Sequence, residues 1–205
     1  MFNTLALISI LFAIVTLKAM VSIFPSAIAS AIRWKENLNM ESSVKLARDR
    51  DICAMAMVLP FCLCVFRFRL YDPSFISLLP DGGRLWTIIG TFLFYILIRD
   101  ITRRLARPHS IPQKTATAAN KSANTFFILL TLVLLAFGSI ASFAGMQSEL
   151  IQSVMLWLSA LVYGLYLIRK LQIFTSSCSF FAGFLYLCAL EILPTGILVV
   201  SDVIF

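Results

Sequence analysis

Glu191 is the residue in this chain whose setting most invites chemistry. It stands near the middle of 26 mostly apolar residues, Phe180 to Phe205. A carboxylate in hydrocarbon faces the bundle interior, takes up a proton or finds a partner. Pro194 lies three residues on, lacks a backbone N–H and crowds the carbonyl of Leu190. The freed carbonyl, Glu191 and Thr195 could together form one polar pocket. Lys18, from the cytoplasmic side, and Arg67 and Arg69, from the outer side, each lie about one long side chain away in depth. A structural clamp fits Glu191 best, because proton and ion pathways usually carry several ionisable groups in series.

Two further polar groupings stand beside apolar runs. Arg48-Asp49-Arg50-Asp51 mixes signs just before Ile52 and reads as a solvated helix entrance with local ion pairs, with Arg50 and Asp51 as its polar candidates. Arg67, Arg69, Asp72 and Asp81 could meet phosphate headgroups, but their spacing is unspecific. The motifs of common enzymes are absent: no HExxH, no nucleophile elbow, no P-loop. The one histidine, His109, follows a proline in a polar loop, which argues against metal or histidine-assisted catalysis. Of the five cysteines, Cys62 and Cys64 have neither redox nor zinc spacing, and all five read as small apolar fillers. No cofactor or metal is expected, and an enzyme is the less favoured reading.

The elements that must position these residues are membrane helices. Hydrophobic residues make up 60% of the chain and charged residues 13%, against about 25% charged in soluble domains. The reading is all-α: a polytopic transmembrane helical bundle forming a single integral membrane domain over residues 1–205. About six spans are expected, near 2–24, 52–71, 85–101, 126–146, 150–168 and 179–204, with polar linkers at 33–51 and 102–124. Pro25 breaks or kinks the end of span one. Ser42 and Ser43 could cap a short helix through Val44, Leu46 and Ala47. Span two contains Pro60 and has an uncharged core of only about 15 residues, short of the roughly 20 that a crossing needs. Pro108 to Asn124 reads as a mobile loop. Gly138 and Ser142 form a small-xxx-small pair suited to close helix approach.

Lysine and arginine fix the expected orientation. Thirteen fall in the loops after spans one, three and five, and three (Arg67, Arg69, Arg84) on the opposite side. That bias places the three basic loops in the cytoplasm and both termini outside it. The formal charge of +7 is scattered over these loops, so nucleic acid is not an expected partner.

The run Tyr186-Leu187-Cys188-Ala189-Leu190-Glu191-Ile192-Leu193-Pro194, with Arg48-Asp49-Arg50-Asp51 ahead of span two, resembles an uncharacterised bacterial family of multipass inner-membrane proteins, a domain of unknown function. The resemblance implies a multipass protein of the bacterial inner membrane and no catalytic residue; at most it makes Glu191 and Pro194 part of a family feature. Small size, short loops and missing motifs then point to a non-catalytic subunit or assembly factor of a larger membrane complex, in a setting such as protein translocation, insertion or secretion. The lipid bilayer and other integral membrane subunits are the expected partners. A small proton- or ion-coupled transporter using Glu191 is the first alternative, and a lipid-processing enzyme the second.

Overall fold

The computed structural model describes residues 2–73, 76, 78–105, 113–176 and 178–204. Its helices are α1 (Phe2–Ile32), α2 (Lys35–Ser42), α3 (Val44–Ala56), α4 (Val58–Arg67), α5 (Asp81–Leu105), α6 (Gln113–Phe143), α7 (Ser148–Thr175), α8 (Phe180–Leu187) and α9 (Leu193–Ile204), with a π turn at Cys188–Ile192 between the last two. No strand occurs among the described residues. Among the described residues, five stretches are long and apolar enough to cross a membrane: Asn3–Ile32, Gly82–Thr102, Thr115–Phe143, Ser148–Thr175 and Phe180–Val200. Their outer faces carry exposed Leu, Ile, Val and Phe side chains, as lipid contact requires. The chain is a multipass membrane protein.

The second expected span differs from the others because it is not one helix. It is divided at Met57 into α3 and α4. Pro60 explains the position of the break: it offers no N–H to the carbonyl of Ala56, the last residue of α3. The two pieces still run alongside α6. Asp51 bonds Lys121, and a Cβ on Gly138 would lie 2.8 Å from the Phe68 ring. Asp51 to Phe68 and Lys121 to Gly138 are both 17 residues, so the broken span follows α6 for about 26 Å. Ser43 caps α3 by accepting the Leu46 N–H at 3.5 Å. Pro25, by contrast, lies within α1, which continues to Ile32.

The linker expected over 102–124 is shorter than the composition suggested. Gln113 already begins α6, and Ala118, Ala119, Ser122 and Ala123 are buried. These small residues read as loop material, yet alanine is the best helix former, and small side chains suit a close packing face. Ala119 packs against Ile173 and Phe174 of α7. His109 and the charges expected beside it lie outside the described residues.

Helices α6 and α7 make the most extensive helix pair in the bundle. Their connection is tight because Gly145 takes φ +65° and the Met146 N–H reaches back to Ala141 O at 3.2 Å. The close face of α6 is Leu134, Gly138 and Ala141 rather than Gly138 with Ser142, since Ser142 points outward. A Cβ on Gly138 would stand 2.6 Å from Met155 Cε. Gly138→Ala is expected to push aside the Met155 methyl and the Phe68 ring at a smaller cost than Gly138→Ile, which should destabilise by about 1–3 kcal/mol. Thermal unfolding of the two variants in detergent checks that order.

Candidate functional site

The last membrane helix bends its hydrogen-bond ladder around Glu191. At Cys188–Ile192 the helix widens into a π turn, and the Leu193 N–H bonds Cys188 O. Pro194 follows directly and cannot donate, so the ladder must be re-registered there. The Glu191 carbonyl accepts from Tyr163 Oη at 3.0 Å. Sequence reasoning placed the freed carbonyl on Leu190; the carbonyl bonded from outside the helix is the next one.

The Glu191 side chain is completely buried. Lys170 of α7, also completely buried, donates to Oε1. Arg99 of α5 places Nη2 2.7 Å from Oε2. Tyr166 joins both cations: its hydroxyl oxygen accepts from Arg99 Nη2 at 2.8 Å and from Lys170 Nζ at 3.2 Å. Its ring also lies 5.6 Å from each cationic group. Nearby, Tyr95 Oη and Thr195 Oγ1 are 2.9 Å apart. Three elements therefore converge on one carboxylate, α5, α7 and the π turn, with Thr195 of α9 tied to α5 beside them. Formally the Glu191–Lys170–Arg99 triad carries one positive charge in excess.

A second polar cluster sits on α3. Arg50 is 1% exposed and bridges Glu41 of α2, at 3.0 Å, and Asp51. Asp51 also accepts from Lys121 and, at 3.0 Å, from Asn124 of α6. Partial burial works against its charge, but the Lys121 and Asn124 hydrogen bonds, with the charges of Arg50 and Lys121, hold its carboxyl below the ordinary value. The entrance expected to be solvated is thus a buried tie between α2, α3 and α6 at Arg50.

The structure sorts the sequence candidates clearly. Glu191, Pro194 and Thr195 share one site, and Arg50 and Asp51 share the second. Lys18 is exposed on α1 and is not the partner of Glu191. Arg67 and Arg69 are exposed at the end of α4. Arg69 has φ +50° and ends that helix in a Schellman turn, with the Leu70 N–H bonded to Val65 O at 3.0 Å. Its carbonyl accepts from Gln152. Asp72 pairs with Arg84 at 2.8 Å, and the Asp81 side chain lies outside the described residues.

The two true partners of Glu191 were read from sequence as charges ending a helix or opening a basic loop. A signal for them existed. Tyr163, Tyr166 and Lys170 are spaced by three and four residues, as are Tyr95 and Arg99 by four, so each set lies on one helix face. Counting Arg50, Arg99 and Lys170 as bundle residues lowers the basic bias from thirteen to ten against three.

Between α3, α4, α5, α6, α7 and α9 lies a cleft of about 1140 Å³, with Arg99, Lys121 and Tyr166 among its lining. Residues 3–200 match a family described as a domain of unknown function, DUF4271. The chain belongs to that family. DUF4271 is thus the uncharacterised family that the sequence resemblance anticipated in kind. No curated protein and no solved structure matches the chain.

Removing one partner of a buried ion pair costs about 3–5 kcal/mol. Glu191→Leu strands two cations and is expected to deplete folded protein most. Arg99→Gln leaves Lys170 on the carboxylate and should cost least. Yield and thermal midpoint in detergent test this ranking. The depressed Asp51 value has its own signature: its contribution is complete above the unfolded pKa and is lost as pH falls through the folded one. Asp51→Asn should flatten that acid limb of the stability profile, read as melting temperature from neutral pH down to about pH 3.

Proposed function

We propose that this DUF4271 protein is a non-catalytic integral subunit or accessory factor of a larger membrane complex, in the bacterial inner membrane. One observation carries the reading. Glu191, the carboxylate most exposed to suspicion of chemistry, is completely buried, and each of its oxygens faces a cation from a different helix. A general base needs access to a substrate proton, and a proton carrier needs water on alternate sides. A carboxylate held in this way instead locks α5, α7 and the π turn into one arrangement. Such a fixed bundle suits a part that presents a surface to other membrane subunits. The remaining basic bias favours the loops after spans one, three and five on the cytoplasmic side. If the broken α3–α4 segment crosses the membrane, six crossings leave both termini outside.

Solubilisation of native membranes in mild detergent tests the proposal. A stoichiometric integral membrane partner is expected to accompany the full-length chain. Recovery of a homogeneous monomer, free of other proteins, would overturn it. If Glu191→Gln accumulates normally and yet abolishes a proton or ion flux, a transporter replaces the subunit reading.

A further inference from the structure

The cleft beside the triad has a polar end and an apolar end. Its lining on α6 extends from Ala116 to Leu134, which is 18 residues, or about 27 Å. That is close to the roughly 30 Å of a bilayer's hydrocarbon core. Arg99, Asn120, Lys121, Asn124 and Tyr166 line one end. Val65, Ile88, Leu130, Leu134 and Leu156 line the rest. Met55 and Val199, 81% and 55% exposed, flank the cleft with apolar surface where acyl chains would lie.

The polar end has unused capacity. Arg99 Nε and Asn120 Oδ1 are buried and make no hydrogen bond among the described residues. The buried triad behind Arg99 holds one positive charge more than it neutralises. On α3, Asp51 is committed to Arg50, Lys121 and Asn124, and with Glu41 these charges balance. Asp100 also lines the cleft, but it is exposed, and its helical neighbour Arg99 points about 100° away from it.

We propose that this cleft seats one anionic phospholipid of the surrounding bilayer, its phosphate against Arg99 and Lys121 and an acyl chain along α6 toward Leu134. Arginine suits phosphate through its planar set of donors. The inference does not depend on the subunit reading, since a lone chain would bind the lipid equally well.

The test uses the full chain, delipidated in detergent and then incubated with phosphatidylcholine vesicles containing phosphatidylglycerol. Native mass spectrometry reads the lipid retained. One phosphatidylglycerol per chain is expected, enriched about tenfold over phosphatidylcholine relative to the vesicle, which corresponds to one well-placed charged contact. Arg99→Gln should remove the preference while Lys170 keeps Glu191 paired. Ser159→Phe fills the cleft from α7 without touching either charge cluster and should remove the lipid itself, with helix content unchanged by circular dichroism. Equal retention of both lipids by the unaltered chain would overturn the proposal. So would absence of any retained lipid, undiminished retention in Ser159→Phe, or a protein segment cross-linked into the cleft in its place.

Discussion

A carboxylate buried among membrane helices must be matched, and the matching groups must come from somewhere. In this protein they come from two other helices, α7 directly before the last membrane helix and α5 further back in the chain. Glu191 draws Lys170 from α7 and Arg99 from α5, and Tyr166 ties the two cations together. Each of these charges would be prohibitively placed alone. Together they convert three liabilities into a geometric requirement: α5, α7 and the last helix can pack in only the arrangement that brings them together. Lipid offers no hydrophobic drive for helices to associate, so such polar ties weigh more in arrangement than in net stability.

The rest of the bundle is arranged by small residues and by a second tie. Gly138 and Ala141 let α6 approach α7 and the end of α4. Arg50, Asp51 and Lys121 bind α2 and α3 to α6 near the start of that helix. Residues of both clusters line one cleft. Apolar side chains line the cleft beyond them, with Phe61 and Phe127 ring centroids 5.2 Å apart. Fixed polar walls above a greasy trough are a consequence of where the ionisable residues fall along each helix.

Much of this was legible in the amino-acid sequence. Hydropathy alone gives the membrane class and six expected spans, five of which are long helices, because every backbone group in lipid has to bond within its own helix. Glu191 stood out for the same reason. The partners did not, because a lysine or arginine near a helix end reads as an interfacial charge until the tilt and offset of neighbouring helices are known. Lys170 lies five residues before the end of α7, close enough for either fate. The start of α6 was hidden for another reason: Ala, Ser, Thr and Asn serve both loops and tight helix contacts, and only tertiary packing decides between them. Pro60 marks the weak point of its span, but whether a proline bends or divides a helix depends on what surrounds it.

The widened turn at Cys188–Ile192 has a bearing on ancestry. A π turn accommodates one residue more than a regular helix would, and every side chain beyond it is rotated by about 100° about the axis. The meeting of Glu191 with Lys170 and Arg99, and of Thr195 with Tyr95, therefore depends on a length difference of one. A relative lacking that one residue would carry the same letters on either side of the gap while presenting a different face to the bundle. Gap placement across the Cys188–Pro194 stretch, more than the identity of any letter in it, would then separate lineages that share this polar junction from those that do not.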